Sequence, residues 1–129
     1  MGQPAAKEGS EVIGIDIHVV LVPSPGGPVP TPLPHDFSGN LDQEMSSDVK
    51  IGGSAAATVG SVATNSPPHI PTPPGTAFQT PPENRGTVSA GSATVKINNK
   101  AAARQGDPVQ TCEGTGSIVT GATSVLIGG

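Results

Sequence analysis

From Glu11 to Val22 apolar residues recur at every second position: Ile13, Ile15, Ile17, Val19 and Leu21 form one stripe, and Asp16 and His18 fall on the opposite face. Such alternation marks a β-strand, because successive side chains on a strand point to opposite sides. Shorter pieces repeat the pattern as Val49/Ile51, Val95/Ile97 and Val125/Ile127, each bounded by Gly or Asn, which tolerate the positive φ of tight turns. No segment shows helical periodicity, and prolines interrupt the places where a helix would start. The pattern predicts an all-β chain of many short strands, with long proline-stiffened loops at Val22 to Pro34 and Ser66 to Pro82.

The short strands belong to a duplication. Val49-Lys50-Ile51-Gly52-Gly53-Ser54-Ala55-Ala56-Ala57-Thr58-Val59-Gly60-Ser61 aligns without a gap on Val95-Lys96-Ile97-Asn98-Asn99-Lys100-Ala101-Ala102-Ala103-Arg104-Gln105-Gly106-Asp107. Upstream of each copy, Val29-Pro30-Thr31-Pro32 leading to Phe37 matches Ile70-Pro71-Thr72-Pro73 leading to Phe78. Each unit therefore reads as a proline-rich excursion, a short strand and an Ala-Ala-Ala corner. A third, truncated unit closes the chain, since Gly121-Ala122-Thr123-Ser124-Val125-Leu126-Ile127 echoes Gly91 to Ile97.

Composition sharpens this picture. The 129 residues include 18 Gly and 15 Pro, a proportion typical of disordered chains when no period is present. Only 27 residues are Leu, Ile, Val or Phe, so ordinary side-chain packing gives the chain hardly any core. Yet only 12% of residues are charged and the net charge is -4, which leaves little of the self-repulsion that holds disordered chains open. A further source of stability is implied. One domain spanning residues 1–129, with no fused effector extension, suits this length.

Six cations and no Trp or Tyr exclude a nucleic-acid partner, which needs a basic footprint and stacking platforms. The longest strongly apolar run, Val19 to Val22, is too short to cross a bilayer. Met1 to Glu8 has no apolar stretch of the kind a secretion signal needs, so synthesis in the bacterial cytoplasm without a signal peptide is the expectation. A single cysteine excludes an internal disulfide.

His18, His35, His69 and Cys112 are the right number and kind of donors for one tetrahedral zinc site of the His₃Cys type. Their spacing is not that of a zinc finger, so the donors would be gathered from separate loops. Three surface histidines and one small buried cysteine would leave the same sequence. Favouring the metal are the distribution of donors over the repeats and the need of a chain so short of core for a staple. Four protein donors leave no open position, making such a site structural. Asp16 reads as a partner behind His18 or as a solvated side chain. No nucleophile motif accompanies the serines, and the Gly52 to Gly60 run lacks the ending and the helix of a phosphate loop.

The Ala-Ala-Ala-Thr and Ala-Ala-Ala-Arg corners at 55–58 and 101–104, each after a Val-Lys-Ile strand, together with Pro-Pro-His-Ile-Pro-Thr-Pro-Pro at 67–74, resemble the PAAR-repeat proteins of contractile, phage-tail-like injection particles. The resemblance covers essentially the whole chain, although Ala101 stands at the place of the signature proline and Thr58 at that of the arginine. It implies a small cone with pseudo-threefold symmetry and one structural zinc ion near its point, held by His18, His35, His69 and Cys112. It also implies a non-enzymatic tip that caps and sharpens a homotrimeric β-helical spike for puncturing target membranes. The competing reading is an adaptor that attaches effector cargo to the spike, with loops such as Asp36 to Asp48 holding it.

Overall fold

The first of the Ala-rich corners that organise the fold stands at the N-terminus, where Pro4-Ala5-Ala6-Lys7-Glu8-Gly9-Ser10 matches 55–61 and 101–107. In the computed structural model, which describes residues 2–128, the three corners meet on an approximate threefold axis. The Ala6 N–H donates to Ala103 O (3.0 Å), Ala103 N–H to Ala57 O (3.0 Å) and Ala57 N–H to Ala6 O (3.1 Å), a cyclic set of three bonds. A second cyclic set runs from Glu8 N–H to Ala55 O, Val59 N–H to Ala101 O and Gln105 N–H to Pro4 O. Each corner then turns on a glycine with positive φ, Gly9, Gly60 or Gly106 (92°, 96° and 94°), a backbone that a side chain would strain. The first backbone N–H of each turn is capped by the residue three positions on: Lys7 by the Ser10 hydroxyl, Thr58 by the Ser61 hydroxyl and Arg104 by the Asp107 carboxylate.

The described residues form thirteen strands: β1 (Gln3–Ala5), β2 (Glu11–Val22), β3 (Val29–Gln43), β4 (Lys50–Ile51), β5 (Ser54–Ala55), β6 (Val62–Asn65), β7 (Ala77–Phe78), β8 (Arg85–Val88), β9 (Lys96–Ile97), β10 (Lys100–Ala101), β11 (Pro108–Thr111), β12 (Gly114–Ile118) and β13 (Ala122–Ile127). No helix occurs among the described residues. On one side of the corners lie three small antiparallel pairs, β4–β5, β9–β10 and β1–β13. The C-terminal unit is therefore completed by the N-terminal strand, and its missing corner is Pro4 to Lys7. On the other side rise three arms, β2–β3, β6–β8 and β11–β12, joined edge to edge through β3–β6, β8–β11 and β12–β2 into a closed ring of six strands. Closure leaves this ring without a free edge.

Inside the ring Val12, Phe37, Leu41, Val88, Val109 and Ile118 pack over a floor of Ala6, Ala57 and Ala103. The interior is narrow enough to require glycine. A Cβ on Gly86 would stand 3.1 Å from the Phe37 ring, and one on Gly114 would stand 1.9 Å from Ile15 O. The isoleucine stripe of β2 faces outward, with Ile13, Ile15 and Ile17 about half exposed, whereas Asp16 and His18 face inward. The alternation is as the sequence implies, but its polar face is the interior one. Val29 to Pro34 is strand where a loop was expected. Pro30, Pro32 and Pro34 sit opposite Leu21, Val19 and Ile17, and their period of two confines the missing N–H groups to non-hydrogen-bonded pairs, so the intervening residues carry the ladder. Past Gly114 and Thr111 only β2, β3, β7 and the 66–84 loop continue, and the molecule tapers away from its corners.

Candidate metal centre

The taper begins where the donors collect. His18 is on the inner face of β2, and His35 is on the inner face of β3, opposite Asp16 in the register. Cys112 sits in the two-residue turn between Thr111 and Gly114, which brings it over β2 because β12 pairs with that strand. His69 comes from the proline-rich loop. Its backbone N–H donates to Asn84 Oδ1 (2.8 Å), which also accepts from Asn65 Nδ2 (3.0 Å), while Asn65 Oδ1 accepts the Ser38 N–H (2.9 Å). That asparagine pair ties the root of the loop to the ring, a role no sequence motif signals.

The three imidazoles form one cluster, with centroids 5.1 Å apart for His18 and His69, 5.3 Å for His18 and His35, and 5.6 Å for His35 and His69. Phe78 closes one side, edge-on to His18. Four donor atoms, from Asp16, His18, His69 and Cys112, lie within 4.8 Å of one another. Cys112 Sγ is 3.2 Å from His18 Nε2, against about 3.5 Å for two such ligands on a tetrahedral zinc. Asp16 Oδ2 is 2.9 Å from both Cys112 Sγ and His69 Nε2. Asp16 Oδ1 accepts bonds from the Thr111 hydroxyl and the Glu113 backbone N–H. In the His35 ring, Nδ1 lies 2.9 Å from Leu33 O and Nε2 accepts the Thr72 N–H at 3.1 Å, so both nitrogens meet backbone groups. Asp16, which the sequence placed behind His18 or in solvent, is fully buried and central to the cluster.

The electrostatics suit a cation. Burial drives the Asp16 carboxyl upward, but the bonds from Cys112, Thr111, His69 and the Glu113 backbone outweigh it and hold the group below its usual range. Burial lowers His18 and keeps it neutral, against the pull of the Asp16 charge. Burial together with the bond to Asp16 pushes the Cys112 thiol up to about 11. A buried carboxylate thus faces the neutral His18 imidazole and a protonated thiol, with neither Lys nor Arg among its ion-pair partners in the described residues. A metal ion would supply the missing positive charge, and nitrogen, sulfur and carboxylate donors are the set zinc takes. The residues fit the ion, and the Asp16, His18, His69 and Cys112 cluster can hold one.

The family model of the PAAR motif matches residues 78–129, from Phe78 in β7 through the last strand and including Cys112 and the Ala101 to Arg104 corner. No curated protein and no solved structure matches the chain.

Proposed function

We propose that this chain is a PAAR-repeat protein, associated with the spike of a secretion or injection system, and that it forms the sharpened tip of a trimeric β-helical spike. The observation that carries the reading is the threefold base. Three hairpins related by the cyclic Ala6, Ala57 and Ala103 bonds present Val49, Val95 and Val125 at matching positions, with 37%, 36% and 37% of their surface exposed. A surface that offers the same residue three times about one axis suits a partner with its own threefold axis, one face per subunit. The work done is mechanical, as befits a family that is structural rather than catalytic.

At the other end we assign one structural zinc to His18, His35, His69 and Cys112. His18, His69 and Cys112 already converge. The fourth place is contested by Asp16, whose Oδ2 lies within hydrogen-bond distance of Cys112 and His69, and by His35, whose ring stands in the same imidazole cluster. Asp16 is held from behind by Thr111 and Glu113, the arrangement of a carboxylate that orients metal ligands, and in this reading His35 takes the fourth place by giving up the Thr72 N–H bond at its Nε2. An ion here ties β2, β3, the 66–84 loop and the β11–β12 turn at the narrow end, where side-chain packing has run out. Structural zinc contributes roughly 10–16 kcal/mol in small peptides, enough to resist local opening under axial load.

The protein would be made in the bacterial cytoplasm and leave it at the tip of its particle. The adaptor alternative loses part of its support, because Asp36 to Gln43 belongs to β3 and to the closed ring rather than to a free loop. Co-purification with a trimeric spike tests the proposal. A stable complex is the outcome for a tip, and recovery with effector cargo but never with a spike is the outcome for an adaptor.

A further inference from the structure

The two ends of the molecule differ in charge as sharply as in symmetry. Five of the six cations, Lys7, Lys50, Lys96, Lys100 and Arg104, belong to the corners and basal hairpins, and the sixth is Arg85 on the ring wall. Four of the ten carboxylates, Glu8, Glu44, Asp48 and Asp107, lie at the corners and base; the other six lie on the wall and toward the point. Two of the basal carboxylates are engaged: Asp107 pairs with Arg104 at 2.8 Å, and Asp48 accepts the Asn98 side-chain amide at 2.9 Å. Lys50, Lys96 and Lys100 are exposed, and none of them appears in an ion pair among the described residues. In an acidic chain, three free lysines beside three threefold-related valines form an asymmetric feature that the fold itself does not demand. The third unit carries Leu126 where the others have Lys50 and Lys96, and where the second repeat has Lys100 the first has Ser54 and the third Gln3.

We infer that the base docks on an acidic partner surface: the end of the spike trimer carries carboxylates around an apolar centre, and Lys50, Lys96 and Lys100 meet them while the three valines meet the apolar part. This deepens the spike-tip reading and rests on it. Complementary charge also excludes the wrong end, since the wall and point, with Arg85 as their sole cation, would be repelled by the same carboxylates. Charge at such a rim chiefly speeds and orients encounter, and salt screens it.

The experiment is binding of the purified chain to its cognate trimeric spike, followed by biosensor interferometry at 50 and 300 mM NaCl. The wild type is expected to bind and to weaken at least about tenfold across that range. K50E/K96E/K100E is expected to bind at least about a hundredfold more weakly than wild type while keeping its metal content and melting temperature. K50Q/K96Q/K100Q should fall between them, and it replaces the reversal variant if that fails to fold. Wild-type binding that is unaffected by salt and by either triple variant overturns the acidic docking surface and leaves the tip reading standing. No binding by wild type at either salt overturns the tip reading and this inference with it.

Discussion

Asp16 Oδ2 accepts a hydrogen bond from the Cys112 thiol across 2.9 Å, although 96 residues separate the two in the chain. The contact exists because β12 lies against β2, which brings the β11–β12 turn over the inner face of the long arm. It marks the place where the narrow end of the molecule is held together by polar groups that could hold a metal ion, in place of an apolar core.

Replacing Cys112 or His69 by Ala removes one of the donors that already converge at the site. Each variant is expected to lose most of the roughly one zinc per chain that elemental analysis of the wild type should give. Each should also melt about 10 °C lower, a loss of a few kcal/mol in a domain of this size. An unchanged metal content in both variants would remove these residues from the site.

The fourth ligand is decided by comparing two substitutions. His35→Ala is expected to abolish stoichiometric zinc, whereas Asp16→Asn is expected to retain it with affinity lowered about 10- to 100-fold, the effect of losing a group that orients ligands. Competition with a chromophoric chelator reads both. The reverse ranking would give the place to Asp16.

Zinc affinity should rise with pH. The metal-free thiol of Cys112 is pushed up to about 11 by burial and by Asp16, so at neutral pH it carries a proton that must leave when sulfur binds the ion. One proton released per ion makes the affinity increase by about tenfold per pH unit between pH 7 and 9, where His18 is already neutral. In the metal-free chain the sign on folding is opposite. A raised thiol pKa stabilises the fold fully below the unfolded value near 9, and this contribution is lost as pH rises through about 11. Affinity independent of pH in the first window would show that Cys112 does not bind as thiolate.

The closed ring depends on glycines at its seams. Gly114→Ala would place a methyl group 1.9 Å from Ile15 O and push β12 away from β2, so a cost of about 3 kcal/mol is expected in thermal or urea unfolding. Gly26→Ala, in the β2–β3 turn with nothing within 4 Å of the new methyl group, should change stability by less than about 1 kcal/mol. Equal effects would mean that the β12–β2 seam is not needed.

Much of this architecture was legible in the sequence. The period of two in Glu11 to Val22 marked β2, and the repeat joining Val49–Ser61 to Val95–Asp107 marked two basal hairpins with their corners. Hidden from that reading was the first corner, Pro4 to Ser10. Its partner strand, β13, lies at the opposite end of the chain, so the third unit looked truncated although Gly9, Gly60 and Gly106 stand at the same place in the three Ala-rich corners. The inward direction of Asp16 and His18 could not be read from alternation alone, which separates two faces without saying which is enclosed; closure of the ring decides that. The prolines of Val29 to Pro34 suggested a loop because their effect on pairing depends on register, and register is fixed by the partner strand. His35 comes near His18 through the β2–β3 register, whereas the nearness of His69 rests on the 66–84 loop folding back through the Asn65–Asn84 pair, a tertiary contact without a local pattern.

Native mass spectrometry of the chain mixed with its cognate spike tests the central claim most directly, because mass reads symmetry and metal together. A threefold base on a threefold partner predicts one chain and one zinc ion per spike trimer. Three chains per trimer, or no complex with a folded, zinc-loaded chain, would contradict it.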